Sequence, residues 1–138
     1  MSAITNSELV ERMLGRWDCA DIAFLRRFAF ENIKGASFDL TLVVLAQPRP
    51  PLSARWPDPS GSFCEVELVF QGVRDLRITV KGPWDIQTPG FVIEDISAWQ
   101  WEGIRLRVYD EEGAPVSFNA QSASVRWCRP AATGPLTP

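Results

Sequence analysis

Strict alternation of apolar and polar side chains constrains this chain more than any other feature, and it is clearest in CEVELVFQGVRDLRITV, residues 64–80. Cys64, Val66, Leu68 and Phe70 alternate with Glu65 and Glu67. After QGVRD the rhythm returns as Leu76, Ile78 and Val80 around Arg77 and Thr79. A period of two sends successive side chains to opposite faces of a strand, whereas a helix repeats every ~3.6 residues. Gly72 lies between the two runs and offers the permissive backbone that a tight or bulged turn needs. The pattern predicts an antiparallel hairpin, with Cys64–Phe70 paired to Leu76–Val80 through QGVRD.

The same period recurs along most of the chain. Ile22, Phe24, Phe28 and Phe30 are expected on one strand face, interrupted by Arg26. Phe38, Leu40, Leu42 and Val44 follow after the short link NIKGAS. Residues 47–62 hold five of the eleven prolines and read as a long irregular loop around Trp56, because proline removes a ladder donor. KGPWDIQTPG is a second loop. FVIEDISAWQWEG reads as one bent or bulged strand, since the apolar parity slips between Ile93 and Ile96. Ile104, Leu106 and Val108 form a further strand, and DEEGAP turns it into VSFNAQSASVRW. Near the front, Thr5 and Glu8 have capping-box spacing, Val10, Met13, Leu14 and Trp17 share a helical face, and Gly15 can stop the helix. The expected fold is mainly β, an antiparallel sandwich or partly closed barrel of seven or eight strands with one short N-terminal helix. It fills one domain, residues 1–128, and RPAATGPLTP (129–138) has no periodic pattern and is expected to be a loose tail.

Chemistry-bearing residues are few. The chain of 138 residues has no histidine, which removes the commonest general base and the commonest zinc ligand. Cys19, Cys64 and Cys128 are widely spaced, without a C-x-x-C, and read as buried free thiols of a cytoplasmic protein. The opening residues carry charge throughout and lack a secretory apolar run, and no window reaches the ~20 apolar residues of a membrane span. Glu65 and Glu67 share a strand face and could form a glycosidase-like pair, but Arg74 and Arg77 on the returning strand are expected to neutralise them. The acids of YDEEG mark an exposed turn rather than a calcium loop. No catalytic residue, metal or cofactor is expected.

Charge and aromatic residues point elsewhere. Residues 85–112 hold seven acids against Arg105 and Arg107, which disfavours nucleic acid as a partner. Trp84 precedes this segment closely, and Trp99 and Trp101 share a strand parity inside it. With Glu94, Asp95 and Glu102 they would form an aromatic centre with a negative rim, the layout of a surface that binds a basic protein. The competing reading has loop tryptophans folding back to cap the sheets, and solvent exposure separates the two.

VELVFQGVRDLRI, followed by GFVIEDIS, resembles the bacterial immunity proteins of polymorphic toxin systems, in particular the immunity family numbered fifty. The likeness covers about residues 64–110, with an echo in LGRWDCADIAFLRRF. It implies a small cytoplasmic protein that neutralises a cognate toxin by binding it, and it transfers no binding residue. Two functions are therefore expected in competition. One is a non-enzymatic protein binder; the other is a β-barrel or sandwich holding a small apolar ligand, with tryptophans at its mouth.

Overall fold

A computed structural model describes residues 3–33, 37–50, 55–111 and 115–138. The chain runs α1 (Glu8–Leu14), β1 (Ile22–Ile33), β2 (Ser37–Ala46), β3 (Cys64–Ile78), β4 (Ile86–Gln87), β5 (Phe91–Asp95), β6 (Leu106–Asp110), β7 (Val116–Ala120) and β8 (Ser122–Pro130). Single 3-10 turns lie at Cys19–Asp21 and Ser97–Trp99. The protein is mainly β, with eight antiparallel strands among the described residues in one sheet that does not close there, as in a sandwich or open barrel. The strand order is β4-β1-β2-β3-β7-β6-β5, with β8 also paired to β3.

The expected hairpin at residues 64–80 does not form. Cys64–Ile78 is one continuous strand of 15 residues. Its first part lies between β2 and β8, and from Arg74 to Ile78 it pairs with β7. Because β7 and β8 are separated only by Gln121, residues 116–130 run antiparallel to almost the whole of β3. This long ribbon joins the two halves of the sheet and bends at Gly72, where the Gln121 N–H donates to the Gln71 carbonyl at 2.9 Å. Gly72 takes φ +62°, and Asp75 also takes a positive φ of 57°. Both belong to bulges within a strand, which increase local twist and bend it.

Bending lets both halves of the sheet bury one face in a single core. Val66, Leu68, Phe70 and Val73 of β3 meet Leu40, Leu42 and Val44 of β2 and Val108, Val116 and Phe118 of the other half. Phe70 and Phe118 pack edge to face at 4.8 Å. α1 closes one side with Val10, and Gly15 ends it in the left-handed conformation (φ 79°) as expected. The expected capping box is absent: the N-cap is Ser7, without a side-chain cap, and Thr5 instead bridges to Ser124 of β8.

β1 departs from simple alternation because bulges fall between Ile22 and Phe24 and between Leu25 and Arg27. Ile22 and Leu25 enter the main core, while Phe24 joins Ala23, Leu45 and Phe63 in a second cluster under Trp56. Phe28 and Phe30 are left exposed. Trp56 does fold back, donating its indole N–H to the Gln47 carbonyl at 2.8 Å, with Arg49 stacked 3.7 Å from the ring centroid.

Glu65 and Glu67 are buried on the face of β3 opposite the main core. Their partners are not Arg74 and Arg77, because the strand does not turn back. Glu65 faces Arg26 at 3.7 Å and Arg129 at 3.5 Å; Glu67 faces Arg27 at 3.7 Å and Arg126 at 3.4 Å. Nor do residues 129–138 hang free. Arg129 and Pro130 belong to β8, and Arg26 donates to the Gly134 carbonyl at 2.7 Å and the Thr133 carbonyl at 3.2 Å. The same Arg26 grips Asp85 at 2.9 Å, and Asp85 accepts from the Leu136 N–H at 2.9 Å. One buried ion pair thus ties β1, the loop before β4 and the tail together.

Candidate protein-binding site

Residues 91–103 do not form the single bent strand expected of them. β5 stops at Asp95, and the chain turns through Ser97–Trp99 to Gln100, which is left-handed at φ 58°. Ile96 is buried and its N–H donates to the Arg105 carbonyl at 2.8 Å, so the loop is pinned at its base. Asp95 accepts from the Ser97 N–H at 2.9 Å. Hydrogen bonds from Ser97 hold the Asp95 carboxyl below its ordinary value. Further turns are closed by Trp99 N–H to the Ile96 carbonyl at 2.9 Å and Ile104 N–H to the Trp101 carbonyl at 3.2 Å.

This turn presents Trp99 and Trp101 to solvent, 47% and 51% exposed. Their rings pack edge to face with centroids 5.2 Å apart. The shared strand parity that predicts their proximity is wrong, because neither lies in a strand; the turn brings them together instead. Each ring shields part of the other, and about half of each residue remains exposed.

Trp84 is also exposed, at 39%, but it sits elsewhere. It lines a cavity with Thr79, Pro115 and Ile86. Thr79 donates its N–H to Pro115, next to the Val116 end of β7. Trp99 and Trp101 instead follow Asp95, which is in register with Leu106, and Leu106 with Ala120 at the far end of β7. The two tryptophan sites therefore lie at opposite ends of the β5–β6–β7 meander.

The acids divide in the same way. Glu102 is exposed within the tryptophan turn, and Asp95 at its base is committed to Ser97. Glu94 is half-buried on β5, directly opposite Arg107, and accepts from the Tyr109 hydroxyl at 3.3 Å. Burial and this contact with Glu94 raise the Tyr109 pKa. Glu94 is thus engaged on the sheet, and the acids left at the turn are Asp95 and Glu102, with Arg105 acting on Asp95 and the Arg74 guanidinium beside Gly103.

The cavity at Trp84 has a volume of about 290 Å³ and is walled by Phe24, Ile86 and Pro115, with Lys81 and Thr137 at its margin. Sequence periodicity gave no sign of it, since it forms where the 79–90 loop meets residues distant in sequence. The cysteines offer little reactivity. Burial raises all three thiols, and Cys128, beside Cys64, is pushed up to about 12. Among the described residues no helix is long and apolar enough to cross a membrane. In comparisons with known proteins, no family model, curated protein or solved structure matches the chain.

Proposed function

We propose that this is a non-enzymatic protein-binding domain whose recognition surface is the Trp99–Trp101 turn. The observation that carries the reading is the exposed, mutually packed indole pair on a loop pinned at both ends. Exposed tryptophans lose little conformational freedom on binding and are enriched at interface hot spots. Holding them in place beforehand lowers the ordering cost of association. Asp95 and Glu102 beside them favour a basic partner and its fast capture. The resemblance to the immunity proteins of toxin systems supports the same reading and makes a cognate bacterial toxin the partner of first choice.

The test is co-purification from the native cells with the wild-type chain and with Trp99→Ala/Trp101→Ala, each checked by circular dichroism. A basic protein that binds the wild type stoichiometrically and is lost from the folded double variant supports the proposal. Equal retention by both overturns it.

A second reading is favoured by the cavity at Trp84, which suits a small apolar ligand against Phe24 and Ile86. Titration with a small aromatic probe should then change tryptophan fluorescence saturably, and Trp84→Ala should abolish the change. A flat titration rejects this alternative.

A further inference from the structure

β1 has an open edge. It pairs with β2 along its length, but β4 covers its other side only at Phe24 and Leu25. From Arg27 to Ile33 no described residue pairs with that side. Such an edge offers unsatisfied backbone N–H and C=O groups to any strand that can lie beside it. Proteins commonly blunt open edges with lysine, proline or a bulge; the bulges of β1 end at Arg27, and beyond it the edge displays Phe28 and Phe30, 37% and 66% exposed.

The edge sequence Arg27-Phe28-Ala29-Phe30-Glu31 is symmetrical in chemistry about Ala29: cation, ring, methyl, ring, anion. Consider two copies paired antiparallel about a two-fold axis at Ala29. Phe28 of each copy then meets Phe30 of the other on one face. Arg27 of each meets Glu31 of the other on the opposite face. A two-fold interface requires this kind of self-complementarity, and both pair types are favourable across strands.

An independent observation points the same way. Within the chain, Glu31 lies directly opposite Asp39 of β2, and neither has a cationic partner among the described residues. Like charges facing each other across a ladder are destabilising. Arg27 is 65% exposed and makes only a 3.7 Å contact with Glu67, which Arg126 approaches at 3.4 Å. A second copy would bring its Arg27 to the Glu31–Asp39 pair.

We propose that the protein forms a two-fold dimer by antiparallel pairing of β1 edges over Arg27–Glu31, continuing the sheet from one copy into the next. Five residues from each copy make a small interface compared with the ~1,200–2,000 Å² of stable complexes. The dimer therefore dissociates on dilution.

Sedimentation velocity on the full chain over a dilution series tests this. The wild type should shift from monomer towards dimer as concentration rises. Glu31→Arg and Arg27→Glu should each remain monomeric, and Glu31→Arg should melt no lower than wild type because it removes the Glu31–Asp39 repulsion. Mixing the two variants should restore a dimer, since opposite charges then face each other at both ends. A wild type that stays monomeric overturns the proposal and leaves the edge to a strand of some other protein. A dimer that persists in Glu31→Arg overturns it equally, as does failure of two folded variants to associate on mixing. If Arg27→Glu does not fold, wild type against Glu31→Arg decides alone.

Discussion

At the residue scale, Gly72 decides the path of the whole sheet. Its φ of +62° is one that side chains with a Cβ adopt only at a cost, and an added Cβ would stand 2.9 Å from the Gln121 Cβ. Because Gln121 is the joint between β7 and β8, relieving that clash would move the ribbon that unites the sheet. Gly72→Ala should lower stability by about 2 kcal/mol, from left-handed strain plus the close approach. Urea denaturation measures it, and an unchanged midpoint would show that the bend tolerates a side chain. The sequence marks Gly72 as a special position but not which kind. A hairpin turn and a bulge both need glycine, and only the pairing of residues 116–130 distinguishes them.

Among elements, the tie between Arg26, Asp85 and the tail has the largest energetic consequence. Arg26 and Asp85 are both largely buried, and Asp85 accepts from Arg26 and from Leu136 N–H together. Removing the carboxylate leaves a largely buried guanidinium with Glu65 at 3.7 Å as its remaining counter-ion among the described residues, beside the Thr133 and Gly134 carbonyls. Asp85→Ala should therefore cost about 3 kcal/mol and leave the Leu136 N–H without its carboxylate acceptor. Hydrogen exchange should show the Leu136 amide protected in the wild type and exposed in the variant; protection retained in the variant would refute the tie. Alternation made β2, β7 and the first part of β3 readable because each keeps one parity, whereas at Gly72 β3 bulges and its core face passes from Phe70 to Val73. It failed in β1, where two bulges change which side chains face the core. It also failed after Asp95, where two tryptophans spaced as if on a strand face meet through a 3-10 turn. The contacts of Arg26 with Asp85 and Gly134 span 59 and 108 residues, a separation at which local patterning carries no signal.

For the whole molecule, the sheet acts as a frame that leaves its distinctive surfaces at the margins. The Trp99–Trp101 turn stands at one end of the β5–β6–β7 meander, the Trp84 cavity at the other, and the open β1 edge on another strand altogether. Glu102 offers a way to separate steering from anchoring, because it is exposed and, among the described residues, makes no hydrogen bond like that of Asp95. Glu102→Gln should slow association with a basic partner and flatten its salt dependence while leaving dissociation nearly unchanged. Equal slowing in high salt would argue against a steering role. The indole pair is the proposed anchor, so the deciding measurement is the Kd of the co-purified partner for wild type and for Trp99→Ala/Trp101→Ala, with both folds verified. Loss of two central anchors should weaken binding by roughly 30-fold or more, corresponding to about 2 kcal/mol. A Kd within about twofold of wild type in the folded double variant would contradict the claim that this turn is the binding surface.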